Sequence, residues 1–224
     1  MKIMRLLAIS PKAIVRRIWK WFVSRTRIEP ILETTIVKGA LSPMYCLGGL
    51  TFMFFFLLAI TGMMLGMYYQ PSPDTAYSSI QEIATNVRYG WLIRGVHFYS
   101  ANGMIITSIL HMLRVYFTGA YKKPRELNWI VGVALGAFTI MAGFTGYVLR
   151  WDQEAVAASG VGLGLAGAVP WFGNFLTNFI WGRNYADTLG RFFALHVWLI
   201  PGLLMVLMLS HFWMVRRHHI ARPL

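Results

Sequence analysis

Long apolar runs separated by short polar segments are the main pattern along this chain. Four runs contain no Asp, Glu, Lys or Arg and approach or exceed the length that crosses a membrane: 44–70, 96–113, 127–149 and 192–215. We therefore predict an all-α integral membrane bundle with four spanning helices, at 43–70, 91–119, 126–150 and 189–217. The first connection is predicted to hold a short amphipathic turn, and the long third connection to hold short surface helices.

Four residue pairs recur at nearly equal spacing, one pair in each apolar run. The first three pairs are 14 residues apart and the last is 15 apart: Gly48 and Gly62, His97 and His111, Gly132 and Gly146, and His196 and His211. Fourteen residues are two heptads, so both members of a pair face nearly the same way on a helix, about 21 Å apart along its axis. The repeat therefore marks two levels inside the bundle.

The two histidine pairs indicate haem. The second and fourth predicted helices run in the same direction, so His97 matches His196 in depth and His111 matches His211. A neutral imidazole is the usual nitrogen ligand of haem iron, and two imidazoles leave no open position, which suits electron transfer. A lone histidine in a membrane helix often only bonds to a neighbouring helix. Two matched pairs instead favour two stacked b-type haems, each with two histidine ligands.

Glycines and arginines near these levels fit the same interpretation. The four repeated glycines lie at the two histidine depths, where a missing side chain lets a porphyrin edge approach the backbone. Close helix packing is the alternative role of these glycines. Arg94 precedes His97 by three residues and Arg114 follows His111 by three, so each lies one turn outward from its ligand. We predict that both arginines pair with anionic haem propionates, although arginines at the ends of spans also reach to the membrane surface.

Composition and charge support a membrane protein. Hydrophobic residues make up 57% of the chain and charged residues 13%. The net charge of +13 would favour nucleic acid as the partner of a soluble chain. Here the basic residues cluster before the first span, in the second connection and after the last span, as is typical of cytoplasmic segments. We therefore expect both termini on the cytoplasmic side, lipid contact and no nucleic acid.

Residues 1–27 form a basic segment before the first span. Ile14, Ile18 and Phe22 can share one helical face, with Lys12 and Arg16 largely on the other. This pattern predicts an amphipathic helix on the membrane surface, and a partly ordered basic tail is the alternative. The predicted division is a surface segment at 1–27 and a four-helix transmembrane di-haem domain at 28–224.

Four sequence blocks resemble the cytochrome b family: GWLIRGVH at 90–97, GAYKKPRELNW at 119–129, TGYVL at 145–149 and RFFALH at 191–196. The resemblance covers nearly the whole chain after residue 40. The 15-residue step from His196 to His211 is similar to the short, four-helix b6 form of the family, because the long mitochondrial form is one residue shorter there. The chain ends soon after the fourth helix and lacks the Pro-Glu-Trp-Tyr quinol motif. We expect that motif on a separate three-helix subunit.

This resemblance implies a subunit of a quinol–cytochrome c or plastocyanin-type oxidoreductase that runs a Q-cycle and is not active alone. Quinol at an outer pocket gives one electron to a Rieske iron–sulfur protein and the other to the haems, which pass it to an inner quinone near Cys46 and Arg216. Tyr147, Trp151 and Asp152 are candidate residues of the outer quinol pocket. A c-type cytochrome as acceptor, proton translocation, a homodimeric complex and an energy-transducing membrane, such as a bacterial inner membrane, are also implied.

Cys46 and Arg150 are two further positions outside the repeat. Cys46 is the only cysteine, so an intrachain disulfide and a cysteine-rich metal site are excluded. The resemblance implies that Cys46 holds an additional c-type haem through one thioether bond, although a lone cysteine is usually a small buried apolar residue. Arg150 follows Leu149 where the family usually has proline. Because proline would remove a backbone donor, we expect a reshaped outer quinol site.

Two other functions are compatible with parts of the pattern. A di-haem membrane anchor of a dehydrogenase or hydrogenase would also have four helices and would reduce quinone without a Rieske partner. A non-redox membrane bundle would use its histidines only for bonds between helices. The family blocks and the two matched histidine pairs favour the quinol-oxidising complex over both.

Overall fold

The computed structural model of the protein describes residues 15–17, 19, 20 and 43–218. The chain divides into two compact units, Met1–Ala40 and Leu41–Leu224. In the first unit, residues 15–17, 19 and 20 are helical and exposed. Most of the predicted surface helix at 1–27, and the predicted boundary at residue 28, lie outside the described residues, so both remain predictions.

Residues 43–218 fold into helices joined by short turns. The described helices of this unit are α1 (Pro43–Gly66), α2 (Ala76–Thr85), α3 (Gly90–Phe117), α4 (Glu126–Val148), α5 (Gln153–Gly167), α6 (Gly173–Ile180), α7 (Tyr185–Ala194) and α8 (Ile200–His218). A π-helical turn, Leu195–Leu199, joins α7 to α8 in one continuous helix of 34 residues. The prediction of an all-α fold with short helices in the third connection is confirmed, and the first connection holds the helix α2 where a short amphipathic turn was expected.

Among the described residues, three helices are long and apolar enough to cross a membrane: Met44–Gly66, Glu126–Val148 and Tyr185–His218. The helix α3 has 28 residues, which is more than α1 or α4, but its two arginines and two histidines make it less apolar. It packs along α1 and also contacts α4. We therefore treat α1, α3, α4 and the α7–α8 helix as the membrane bundle.

An apolar layer lies between the two histidine levels of this bundle. Its buried members come from α1, α3 and α8: Phe55, Met104, Ile200, Leu204 and Met208. Met104 is seven residues from each histidine of α3, so the layer lies at half the distance between the levels. Burial of these side chains excludes water from this part of the bundle.

A second apolar cluster closes the end of the bundle where α4 leaves it. Val148, Leu149, Trp181, Leu189 and Phe192 are its larger buried members. The short helices of the connections pack against this cluster. The Trp181 indole Nε1 donates to the Ser159 carbonyl at 3.0 Å. This cluster fixes the segment that follows α4, which is the predicted outer quinol region.

Candidate functional site

The four histidines of the repeat form two pairs between α3 and the α7–α8 helix. The ring centroids of His97 and His196, the first pair, are 6.4 Å apart, and those of His111 and His211, the second pair, are 6.5 Å apart. The ring planes cross at 67° in the first pair and at 75° in the second. The structure thus brings together the same partners that the sequence matched by depth.

These separations fit one iron between two imidazoles. Metal–imidazole bonds are about 2 Å long, and each ring nitrogen lies about 1 Å from the ring centre, so two rings on opposite sides of one iron have centres roughly 6 Å apart. Among the described residues, no three His, Cys, Asp or Glu side chains converge as metal ligands. The pairs therefore suit an iron whose other ligands come from a porphyrin.

The π-helical turn explains the unequal spacing of the histidines. His111 lies 14 residues after His97, but His211 lies 15 after His196. In the π-turn that contains His196, the Ile200 amide donates to the Leu195 carbonyl five residues earlier. One extra residue is taken up there without rotating the rest of the helix. Pro201 follows directly, and its ring disfavours a regular α-helical turn at this point.

Each repeated glycine faces one histidine ring. A Cβ at these positions would approach the ring atom Cε1 to 3.1 Å for Gly48 and His111, 3.2 Å for Gly62 and His97, 3.4 Å for Gly132 and His211, and 2.6 Å for Gly146 and His196. The sequence predicted clearance for a porphyrin edge. In the structure the cleared space is occupied by the imidazoles, because the helices with glycine pack directly against the helices with histidine.

Two threonines hold the first pair, and sequence reasoning missed them. Thr61 Oγ1 lies 2.9 Å from His97 Nδ1, and Thr145 Oγ1 lies 3.0 Å from His196 Nδ1. Each hydroxyl donates its one proton to a carbonyl of its own helix, Thr61 to Leu57 at 2.7 Å and Thr145 to Met141 at 2.9 Å. The hydroxyl must then accept from the imidazole, so Nδ1 carries the proton and Nε2 is free to bind iron.

A cavity of about 270 Å³ surrounds the second pair. His111, His211 and mostly apolar side chains line it, and Arg114 and Arg125 bring positive charge to its wall. Arg114 is buried, with its Cζ 4.7 Å from the Tyr45 ring centre. A haem has this character, with an apolar ring and two anionic propionates, so the residues present fit the group.

Arg125 and Asn128 are further lining residues that sequence reasoning missed. Asn128 Oδ1 is buried without a hydrogen-bond partner in the described part of the chain. A usable pattern existed in the sequence, because Arg125, Asn128 and Gly132 follow one another at three and four residues, which is one face of a helix.

The other predicted cofactor residues lie at the surface of the bundle. Arg94 is exposed one turn before His97, and Arg216 is exposed in the last turn of α8. Cys46 is exposed near the start of α1, beside Tyr45, which lines the cavity of the second pair. The structure therefore places Arg114 inside a cavity, while Arg94, Arg216 and Cys46 face outward.

Polar side chains meet where α4 ends. The Arg150 guanidinium contacts Asp152 Oδ2 at 2.9 Å and Glu154 Oε2 at 3.3 Å, and the Tyr147 hydroxyl donates to Glu154 at 3.2 Å. Asp152 also caps α5, since its Oδ1 accepts from the Ala155 amide at 2.8 Å. The carboxylate of Asp152 is thus engaged by a cation and a helix end.

Backbone and aromatic contacts fix the same segment. Tyr69 donates to the Leu149 carbonyl at 2.8 Å. Burial raises the pKa of the Tyr69 phenol, so the group stays protonated as a donor. Trp151 has a φ of +51° and packs edge-on against Tyr185 at 5.5 Å between ring centres. Of the predicted quinol-pocket residues, Tyr147 is the most exposed.

The fold and the site define an integral membrane helical bundle with half-buried histidine pairs suited to haem. The family Cytochrome b/b6/petB matches residues 32–219. The chain is 41% identical to a cytochrome b6 of Parasynechococcus marenigrum (strain WH8102), over 92% of this chain and 97% of the relative. It is also 41% identical to a cytochrome b6 of Acaryochloris marina (strain MBIC 11017), over 93% and 99%.

One solved structure adds to these relatives. A chain of a hyperthermophilic respiratory Complex III superposes with a TM-score of 0.78 at 29% identity, and the match covers 91% of this chain. This chain spans 56% of the length of that Complex III chain. The chain belongs to the cytochrome b/b6 family. It is a haem-bearing cytochrome b subunit of the bc/b6f type, so the non-redox interpretation is excluded.

Proposed function

We propose that this protein is the electron-transfer subunit of a Q-cycle complex, a quinol:cytochrome c or plastocyanin-type reductase. Quinol is oxidised at the end of the bundle near the first histidine pair, and quinone is reduced at the end near the second. Protons are released on one side of the membrane and taken up on the other. The observation that carries this proposal is the presence of two imidazole pairs of equal separation, 6.4 Å and 6.5 Å, at two levels of one bundle.

Each histidine pair holds one b-type haem in this proposal. A bound haem would supply one-electron chemistry. His97 and His196 would hold one haem and His111 and His211 the other, and the apolar layer around Met104 keeps water from the space between the two pairs. Arg114 and Arg125 balance the negative charge of propionates at the second pair.

The charge pattern supports one orientation. The connection between α3 and α4 carries Lys122, Lys123 and Arg125, whereas the described segment between α1 and α3 carries Arg88 and several polar residues. With the positive-inside rule, the second pair lies on the cytoplasmic side of an energy-transducing membrane, such as a bacterial inner membrane. The first pair and the end of α4 then face the outer, positive side, and both termini are cytoplasmic.

The end of α4 forms part of the outer quinol site in this orientation. Tyr147 is 38% exposed there, and Arg150 Cζ lies 4.4 Å from its ring centre. The Arg150 amide donates to the Tyr147 carbonyl at 3.2 Å, which a proline at this position would prevent. Arginine therefore lets α4 close its last turn and keeps Tyr147 beside Glu154.

We expect Arg150→Pro to open this turn. The substitution removes the amide donor and disfavours the helical backbone of Leu149, whose φ is −63° and ψ is −15°. One hydrogen bond contributes about 0.5–1.5 kcal/mol, so amides of 147–152 should exchange roughly 2- to 13-fold faster. Hydrogen exchange read by mass spectrometry measures this change.

Arg150→Gln is the matched control, because it keeps the amide and removes the ion pairs and the contact of the guanidinium with the Tyr147 ring. Exposed ion pairs contribute about 0.2–1 kcal/mol, so glutamine should change the exchange much less than proline. Equal acceleration in both variants would contradict the role of the Arg150 amide.

We also propose a c-type haem at Cys46. The exposed thiol lies two residues before Gly48, which backs His111. A haem attached there by one thioether bond would lie outside the cavity of the second pair and next to the inner quinone site. Arg216 in the last turn of α8 is a candidate partner for quinone or for the propionates on this side.

Cys46→Ser is expected to abolish covalent haem while leaving both b-type haems in place. Haem staining of the polypeptide after denaturing electrophoresis measures the first effect, and the reduced-minus-oxidised spectrum measures the second. The unmodified chain should stay stained after acid–acetone extraction. An unstained unmodified chain would contradict the attachment.

The proposed partners follow from the same function. A Rieske iron–sulfur protein accepts the first electron, a three-helix subunit supplies the quinol motif, and a c-type cytochrome carries electrons away. The assembled complex is proposed to be a homodimer in the lipid membrane. A di-haem anchor of a dehydrogenase or hydrogenase would need no Rieske protein, no three-helix subunit and no c-type cytochrome.

Isolation of the complex from native membranes tests this function. We expect quinol to reduce a c-type cytochrome, and inhibitors of the outer quinol site to block the reaction. A Rieske iron–sulfur signal should be present in the same preparation. A complex that lacks this signal and reduces quinone from a dehydrogenase or hydrogenase subunit would contradict the proposal.

A further inference from the structure

The two histidine pairs differ in their hydrogen bonding. In the first pair, His97 and His196 each contact a threonine hydroxyl at Nδ1, at 2.9 Å and 3.0 Å. In the second pair, the Nδ1 atoms of His111 and His211 are buried and make no hydrogen bond within the described part of the chain. The two sites therefore share their ligands and differ in the groups behind them.

The sequence repeat contains the origin of this difference. The first pair is backed by two Thr-Gly steps, in which Thr61 precedes Gly62 and Thr145 precedes Gly146. Fourteen residues earlier in each helix, the same step has an aliphatic residue, Leu47 before Gly48 and Val131 before Gly132. The hydroxyl is thus present at one level and absent at the other.

His196 and His211, the two histidines of the α7–α8 helix, have matched backbone carbonyls nearby. The Ala142 carbonyl lies near the His196 ring, and the Asn128 carbonyl, 14 residues earlier, lies near the His211 ring. Because the Asn128 carbonyl near His211 has its counterpart in the Ala142 carbonyl near His196, the carbonyls do not distinguish the two pairs. The threonine hydroxyl is therefore the group that distinguishes the first pair from the second.

A hydroxyl in this position strengthens its histidine as a ligand. The imidazole N–H donates to the threonine oxygen, whose own proton goes to a helix carbonyl, and such chains of hydrogen bonds polarise one another. An acceptor at the second ring nitrogen raises the basicity of a ligating histidine. A more basic ligand favours the higher charge on iron, which lowers a reduction potential.

We propose that Thr61 and Thr145 are positioning residues that hold the first haem at a lower reduction potential than the second. The inference rests on the proposed function, in which each pair binds one haem. With the hydroxyls at one level only, an electron moves downhill from the first pair to the second. The chain thereby sets the direction of transfer with identical ligands at both sites.

Potentiometric titration of the purified complex tests this proposal through the midpoint potential of each haem. In Thr61→Val and Thr145→Val, we expect the potential of the first haem to rise and that of the second to stay unchanged. The potential rises to the extent that the lost hydrogen bonds favoured the oxidised haem over the reduced haem. A tenfold change in the ratio of oxidised to reduced haem equals about 59 mV for one electron.

Two further variants keep the test decisive if a valine variant loses haem. Thr145→Ser keeps the hydroxyl and should keep the original potential. Val131→Thr adds the missing hydroxyl behind His211 with little change of shape and should lower the potential of the second haem. Thr107→Val is the control, because this buried threonine also bonds to its own helix, at 2.7 Å to Gly103, but contacts Thr51 instead of a histidine.

The outcomes separate this inference from the proposed function. Two haem signals with unchanged potentials in both valine variants and in Val131→Thr would overturn the role of the threonines and leave the proposed function intact. An unmodified preparation without two haem signals would overturn the proposed function itself. Equal shifts of both potentials, or a shift in Thr107→Val, would also contradict the inference.

Discussion

Replacement of Gly146 by alanine is expected to remove the haem from the first histidine pair. The added Cβ would lie 2.6 Å from Cε1 and 3.1 Å from Nε2 of His196. The ring has little freedom to retreat, because Thr145 on the same helix as Gly146 holds its Nδ1 at 3.0 Å. Overpacking of this kind costs about 1–3 kcal/mol, which corresponds to a roughly 5- to 150-fold loss of haem affinity.

The other glycines give a graded series for this prediction. Alanine at Gly132 would make an ordinary contact, 3.4 Å from His211 Cε1, and should leave haem binding intact. Gly66→Ala is the matched control, because nothing lies within 4 Å of a Cβ at this position. Quantitative haem spectra of purified variants measure the effect. Equal haem content in the Gly146 and Gly66 variants would contradict the close fit of glycine and imidazole.

Replacement of His111 by leucine is expected to remove the second haem and spare the first. His111 faces the ring of His211 across its site, at 6.5 Å between centroids, and His97 of the first pair lies two heptads away on the same helix. Loss of an outer-shell partner costs roughly 10- to 100-fold in metal affinity, and loss of a ligand should cost more. The apolar leucine keeps the volume of the site, so the bundle should still fold.

His218→Leu is the control for this ligand variant. His218 lies in the last turn of α8, and its contact with Arg125 uses the backbone carbonyl at 3.2 Å, which leucine retains. Both haems should remain in this variant. Spectra of the α-band of each variant count the haems, and a His111 variant that still binds two low-spin haems would rule out this ligand.

Much of the fold could be predicted from the sequence because membranes impose length and polarity on whole segments. The apolar runs predicted where the long helices of the bundle lie. Matched depth predicted that His97 lies opposite His196, since depth follows from position along a helix and from its direction. These properties depend on single helices.

Contacts between helices could not be predicted in the same way. Spacing shows which residues share a face, but the rotation of the neighbouring helix decides what that face meets. The contacts of the repeated glycines with imidazole rings were therefore not predicted, and Thr61 and Thr145 were missed. The π-turn at His196 was also invisible, because only its result, the 15-residue spacing, is written in the sequence.

The capping role of Asp152 was predictable in principle. An aspartate directly before a helical segment is a preferred N-cap, and the carboxylate here accepts from the Ala155 amide. The resemblance to the family predicted a quinol-pocket role for Asp152 instead. The N-cap pattern and the family motif thus fall on the same residue.

The central claim is that each histidine pair binds one haem through two imidazoles. The most direct measurement counts the acid–acetone-extractable haem per chain in the purified complex, together with the low-temperature electron paramagnetic resonance spectrum of the oxidised protein. The account predicts two extractable b-type haems per chain, both low-spin, with the strong anisotropy expected of ring planes that cross at 67° and 75°. One extractable haem, or a high-spin signal that persists in the Cys46→Ser variant, would contradict it.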